Sequence, residues 1–239
     1  MSGQDTSAAG PPQSARPLRG KRRAAPHGGH HTSAALAETF AIDRICASIA
    51  EQGFAVEPNF LPASTIAALG ADARQRDAAG EFHAAGIGRD AHRIERSAIR
   101  GDRIAWLEEF DASLAVQAAW KGLSDLQRAL NAALFLGLFT FEGHYAIYPR
   151  AALYHRHRDR FRDDDARVLS CVLYLNDGWT ASDGGSLRIH FDDGERRDVL
   201  PVGGTLVCFL SERFVHEVLP ATRERLALTG WFRRRAMRV

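Results

Sequence analysis

Between Tyr154 and Asp159 the chain reads Tyr-His-Arg-His-Arg-Asp, and here its residue types first suggest chemistry. Side chains on a β-strand alternate faces, so His155, His157 and Asp159 are expected to point the same way. A histidine and a carboxylate two residues apart on one inward face supply two thirds of a facial metal site. The third ligand should be a histidine far along the chain, on a strand that barrel closure brings alongside. His216, in Phe-Val-His-Glu-Val, fits that description. Two neutral imidazoles and one carboxylate leave adjacent coordination positions open, the donor set of non-haem Fe(II) oxygen chemistry. The His-x-Asp pair alone is weak, because it is common by chance.

An arginine strengthens it. Arg225 follows His216 by nine positions, and on one strand Arg225, Thr229 and Trp231 share a face. A guanidinium buried in a barrel mouth needs a carboxylate partner, because an unpaired buried charge is costly. Where the chain supplies none, a dicarboxylate ligand can. 2-Oxoglutarate suits both ends of such a pocket: its 2-oxo acid end chelates iron and its distal carboxylate pairs with the guanidinium fork. Tyr148 and Tyr174, on neighbouring strands, are candidate donors to the same ligand.

Short strands must position these residues. After Gly137, strands are expected at Phe139–Tyr148, Leu153–Asp159, Val168–Leu175, Ser186–Phe191, Arg196–Leu200, Thr205–Leu210, Val215–Leu219 and Leu226–Phe232. Asn-Asp-Gly at 176–178, Gly184-Gly185, Asp-Asp-Gly at 192–194 and Gly203-Gly204 punctuate them. Ahead of them come a helix from residue 32 or 33 to Gly53, with Leu36, Phe40, Ile45 and Ile49 on one face, and a short strand at Phe54–Val56. A second helix runs from about Ser64 to Gly80 with capping residues at both ends, and a third from about Asp111 to Leu134. Residues 81–104 carry little periodicity and read as a long functional loop. The class is α+β: a double-stranded β-helix, a jelly-roll or cupin-like barrel core at about 137–233, with supporting N-terminal helices.

With these motifs in view, the run from Tyr148 to Trp231 resembles the prolyl-4-hydroxylase-like branch of the Fe(II)- and 2-oxoglutarate-dependent dioxygenases, close to the hypoxia-sensing prolyl hydroxylases and their bacterial relatives. The carrying motifs are His157-Arg158-Asp159, Tyr174-Leu175-Asn176 with Trp179, Gly184-Gly185, and His216 to Pro220 followed by Arg225 and Thr229. Ile99 to Trp106 also matches that branch. The resemblance implies His157, Asp159 and His216 as iron ligands. It implies Arg225, with Tyr148 and Tyr174, as the 2-oxoglutarate site, and Thr229 near the metal-bound water or cosubstrate. Asp102 and Arg167 match a charged pair that braces a mobile loop and helps to place the substrate, with residues 83–101 as the lid. It further implies release of succinate and CO2, a prolyl residue in a protein or peptide as substrate, O2 as co-reactant and L-ascorbate as a helper. The linker after Asp159, Arg-Phe-Arg-Asp-Asp-Asp-Ala, departs from the Gly- and Asn-rich stretch of the animal enzymes.

Composition bounds the alternatives. The chain has 239 residues with net charge +2. Five of its 31 Lys and Arg and one of its 29 Asp and Glu fall in residues 1–36, leaving 26 basic and 28 acidic side chains for the remainder, which has no nucleic-acid-like signature. No apolar run approaches a membrane span. Residues 1–33, rich in Gly, Ala, Pro, Ser and Arg, are expected to be a disordered extension ahead of a dioxygenase domain at 34–239. Cys46, Cys171 and Cys208 are far apart in sequence and read as buried reduced thiols of a cytoplasmic protein, a monomer or weak homodimer. His144, His155 and His190 read as strand, packing or supporting histidines, and Trp179 and Trp231 as walls. A zinc hydrolase of the cupin type would share the triad but leave Arg225 without a role. A free amino acid or other small molecule is the alternative substrate, and a binding module without turnover the third class.

Overall fold

The computed structural model describes residues 33–86, 99–159 and 166–235, with side chains from residue 39 onward. Residues 1–32 of the expected extension, most of the expected lid and residues 160–165 of the linker after Asp159 therefore lie outside the described residues, whereas Ser33, expected in the extension, begins the first helix. Among the described residues three α-helices, α1 (Ser33–Gln52), α2 (Ala63–Ala78) and α3 (Leu114–Leu134), accompany eleven strands. The strands are β1 (Phe54–Glu57), β2 (His83–Ala84), β3 (Arg103–Leu107), β4 (Thr140–Tyr148), β5 (Tyr154–His157) and β6 (Arg167–Tyr174). They continue with β7 (Leu187–His190), β8 (Arg196–Val199), β9 (Leu206–Leu210), β10 (Val215–Val218) and β11 (Arg225–Arg233). A seven-stranded sheet in the order β1-β9-β6-β11-β4-β3-β2 faces a four-stranded sheet in the order β5-β10-β7-β8. All paired strands are antiparallel. This is the double-stranded β-helix.

Alternation along β4 divides the core in two. Tyr145 and Ile147 pack with Leu69, Trp120, Leu123 and Leu130 of the helices. Ala146 and Tyr148 face the smaller sheet, with Tyr174, Ile189, Phe209 and Ala227. Helices therefore cover one face of the large sheet and leave the other for a cleft between the sheets. The buried face of α1 is Ala41, Ile45 and Ile49, at four-residue spacing, whereas Phe40, expected there, is one position off that stripe and 60% exposed. α2 starts at Ala63 behind Pro62 without a side-chain cap, so the expected N-cap is corrected to proline's fixed φ. α3 starts three residues later than expected, because Asp111 accepts the Ser113 N–H at 2.9 Å and an Arg76 bond at 2.6 Å. The stretch 81–104 is not all loop. Its ends form β2 and the start of β3, which extends the large sheet beside β4.

The start of β11 is fixed by the motifs that flank it. Asn176, buried, accepts the Leu226 N–H at 2.7 Å and donates to the Pro201 carbonyl at 2.8 Å. Gly184 and Gly185 have φ of +68° and +71°, and Cβ atoms there would lie 2.9 Å from the Pro220 carbonyl oxygen and the Ala221 methyl. Glycine alone permits both that backbone and that approach.

Candidate active site

His157 ends β5 and His216 lies on β10; they are register partners, and their rings are 4.2 Å apart. The next pair is Val218 with Tyr154, so three steps along β5 match two along β10. This bulge breaks the period of two. Tyr154, rather than His155, shares the face of His157, its ring stacked at 3.5 Å and 18°. His155 is exposed. The expectation that His155, His157 and Asp159 share a face is thus corrected. Asp159 lies beyond the strand end and turns back, its Oδ1 3.5 Å from His157 Nε2 and its Oδ2 3.6 Å from His216 Nε2. One ligand atom from each of the three residues lies within 4.8 Å of the others.

Each ligand is oriented by a further bond. His157 Nδ1 donates to the His155 carbonyl at 2.8 Å and His216 Nδ1 to that of Phe214 at 3.3 Å, so both Nε2 lone pairs face Asp159. The Ser170 hydroxyl donates to Asp159 Oδ2 at 2.7 Å and sits 2.9 Å from the Ser211 hydroxyl. Neither serine stood out in sequence; a hydroxyl inside the apolar run Val168–Tyr174 was the available signal. Burial raises the Asp159 pKa, but His216, His157 and the Ser170 hydroxyl outweigh it and hold it well below the carboxylate range. Burial lowers His216 to about 4, so it stands neutral at pH 7, ready to ligate.

The opposite end of the cleft is built on β11. Arg225, Ala227, Thr229 and Trp231 stand opposite Tyr148, Ala146, His144 and Glu142 of β4. Two alanine methyls thus floor the space between the arginine and the Thr229 row. Arg225 is buried, its guanidinium carbon 5.0 Å from the centroids of both Tyr148 and Tyr174. Among the described residues no carboxylate forms an ion pair with it, and Arg225 Nε and Tyr174 Oη have no hydrogen-bond partner. Burial raises the pKa of both phenols, which remain donors. A dicarboxylate suits this end, because an unpaired buried guanidinium calls for a carboxylate. The other end, two imidazoles and a carboxylate, suits Fe(II).

Asp102 and Arg167 are not paired with each other. Asp102 is held by Arg100, Nε at 2.7 Å and Nη2 at 3.0 Å. Arg167 donates to Glu142 at 2.9 Å and lies 3.6 Å over the Trp231 ring, with Nη1 3.4 Å from the Asp159 carbonyl. A nearer carboxylate serves each arginine. His144, Thr229's partner on β4, sits against Trp106 and Trp231 with both ring nitrogens buried and unpartnered. His190 meets Glu217 at 2.9 Å. Cys171 and Cys208, opposite each other on β6 and β9, are free buried thiols with sulfurs 3.3 Å apart.

A double-stranded β-helix with two histidines and an aspartate in its cleft is the architecture of a metal-dependent oxygenase. Residues 143–233 match the 2OG-Fe(II) oxygenase superfamily. The chain is 47% identical to a prolyl-4-hydroxylase from Pseudomonas putida, over 82% of this chain and 100% of that one, with a TM-score of 0.74. It is 25% identical to a prolyl hydroxylase from Trichoplax adhaerens, solved with a hypoxia-inducible factor oxygen degradation domain peptide, over 85% and 94% of the two chains, with a TM-score of 0.77. Human Egl nine homolog 1 is 30% identical over 207 residues, 80% of this chain and 46% of the human protein. The chain thus spans about half the length of that curated relative. It belongs to the 2OG-Fe(II) oxygenase superfamily. No helix among the described residues is long and apolar enough to cross a membrane.

Proposed function

We propose that the chain is an Fe(II)- and 2-oxoglutarate-dependent prolyl hydroxylase acting on a protein or peptide. The observation that carries the reading is the pairing of a buried, uncompensated Arg225 with a His-Asp-His cluster across one cleft. In this reading His157, Asp159 and His216 hold the metal. Arg225 binds the distal carboxylate of 2-oxoglutarate, Tyr174 donates its orphaned hydroxyl to that ligand, and Tyr148 walls the guanidinium. Fe(II) and 2-oxoglutarate, when bound, would supply the oxidising chemistry: 2-oxoglutarate would lose CO2 to become succinate, and the two atoms of O2 would pass one to succinate and one to the substrate hydroxyl. The protein supplies orientation: Asp159 stays ionised on Ser170, His216 stays neutral, and the apolar wall around Arg225 excludes water. Thr229 and His144 form the row between the arginine and the mouth, where Trp106, Trp231 and Arg167 offer contact to a chain-like substrate. L-Ascorbate as a helper and a cytoplasmic location belong to the same reading. Support for the prolyl substrate comes from the relatives, two of which are prolyl hydroxylases by name and one of which holds a peptide.

The test is to incubate the enzyme with Fe(II), 2-oxoglutarate and host lysate or proline-containing peptides, and separately with free proline. Succinate release matched by new hydroxyproline in protein is expected. Succinate release with free proline and no new protein hydroxylation would refute the polypeptide substrate.

A further inference from the structure

Residues 99–102 do more than lead into β3. The Ile99 carbonyl accepts the His155 N–H at 2.9 Å, Gly101 N–H donates to the Leu153 carbonyl at 3.0 Å, and Arg100 bridges Tyr154. This segment therefore lies along the edge of β5 and then enters the large sheet, tying the strand that carries His157 to the opposite wall. Gly101 permits the approach, since a Cβ there would lie 3.1 Å from the Ala152 methyl.

The side chains continue the tie. The Asp102 carboxylate, with none of its side chain exposed, accepts both Arg100 bonds. The Arg100 guanidinium lies 4.8 Å from the centroid of the Tyr154 ring, which lies in turn on the His157 imidazole at 3.5 Å. Carboxylate, guanidinium, phenol and imidazole form one column. The two histidines differ in their need for it. His216 is buried on β10, which is paired on both sides, and its ring meets Phe209 at 4.7 Å. His157 is less buried and sits on an edge strand at a bulge. Its Nδ1 bond fixes which nitrogen faces inward; a stacked ring fixes the plane.

We propose that Tyr154, Arg100 and Asp102 are positioning residues for the metal ligand His157, acting on its imidazole rather than on the polypeptide substrate. This rests on the reading of the triad as a metal site. Outer groups that orient a ligand typically change metal affinity by about 10–100-fold when removed.

The experiment titrates the full chain with Mn(II), following the free-ion electron paramagnetic resonance signal, and records Co(II) absorption bands as a reporter of ligand geometry. Tyr154→Leu and Asp102→Asn are expected to weaken Mn(II) binding by about tenfold or more. Tyr154→Phe, which keeps the stacked ring, should bind as the parent does with unchanged Co(II) bands, whereas the bands should shift in Tyr154→Leu and Asp102→Asn. Parental affinity in a folded Tyr154→Leu, or equal weakening by the Phe and Leu variants, would overturn the proposal. Should Tyr154→Leu fail to fold, the near-isosteric Asp102→Asn decides, and parental affinity there overturns it. So does a raised peptide KM with unchanged Mn(II) affinity. A parent chain that binds no Mn(II) while His157→Ala behaves identically would instead overturn the reading of the triad itself.

Discussion

The two ends of the cleft are finished to different degrees. At the His157–Asp159–His216 end each of the three side chains makes a hydrogen bond within the chain, to two backbone carbonyls and a serine hydroxyl. At the other end Arg225 and Tyr174 are buried with polar atoms unanswered. One end holds its geometry unaided, because its single anion is answered within the chain. The other buries a cation and waits for an anion. Loading the second end should therefore stabilise the protein, whereas the first should be shaped before anything binds.

The largest effect is at the finished end. His157→Ala, Asp159→Ala or His216→Ala should each abolish Fe(II) binding and turnover, seen as loss of the visible charge-transfer band given by anaerobic Fe(II) with 2-oxoglutarate. Full activity with zinc and no iron would break the comparison outright. Next comes Arg225→Ala. Removing one partner of a buried ion pair costs about 3–5 kcal/mol. At about 1.4 kcal/mol per decade, 2-oxoglutarate should bind about two to three and a half decades more weakly.

Much of this was legible in sequence, for identifiable reasons. Triad and arginine are read from residue type and spacing, and strand alternation placed Arg225, Thr229 and Trp231 on one face. What escaped depends on register. The bulge opposite His216 exchanged Tyr154 for His155 on the inner face, and a single inserted step leaves no mark in composition. Asp102 found Arg100 two residues away, and Arg167 found Glu142 across the sheet, so the pair implied by the resemblance had two closer competitors. β2 and β3 were hidden because their pairing is long-range and the stretch around them is rich in Gly and Arg.

Acid should separate the two ends. His216 has a folded pKa of about 4 against an ordinary 6.5. The unfolded chain therefore binds the extra proton first, and stability falls as pH drops from 6.5 towards 4, with no further loss from this group below that. The loss from this group is on the order of a few kcal/mol. Burial, with Arg100 and Arg167 nearby, also pushes His144 well down, so it adds in the same direction. Tyr148 and Tyr174 have raised values and stay protonated throughout. Urea unfolding of metal-free protein at several pH values checks this; a flat profile would mean that the imidazoles gain partners that the apo cleft does not show.

Arg225→Met sharpens the contrast further. Replacing a buried charge by an apolar side chain is often neutral or stabilising, so the ligand-free variant should melt close to the parent or above it. In the metal-loaded parent, 2-oxoglutarate at a hundred times its Kd adds about 2.7 kcal/mol. For a chain of this size that is a rise of about 5–11 °C in Tm, absent from Arg225→Met. If the variant instead loses about 3–5 kcal/mol without ligand, the protein already satisfies Arg225 and the two ends do not differ.

The smallest effect belongs to Arg223, two residues away and of the same strand parity. It lies ahead of β11, with 43% of its side chain exposed. Its Nη2 donates to the Asp177 carbonyl at 2.8 Å, its Nε stands 3.4 Å from Asp183, and its guanidinium carbon lies 4.4 Å from the Trp179 ring centroid. Such a group keeps its hydration and already has partners, so no ligand is needed to complete it. Exposed ion pairs are worth about 0–1 kcal/mol, which bounds the effect of Arg223→Ala on 2-oxoglutarate affinity at about fivefold. Isothermal titration of metal-loaded Arg223→Ala and Arg225→Ala side by side measures the difference directly. Equal losses would show that burial, rather than the guanidinium's identity as a ligand, has been misjudged, and that the cosubstrate reaches the outer arginine instead.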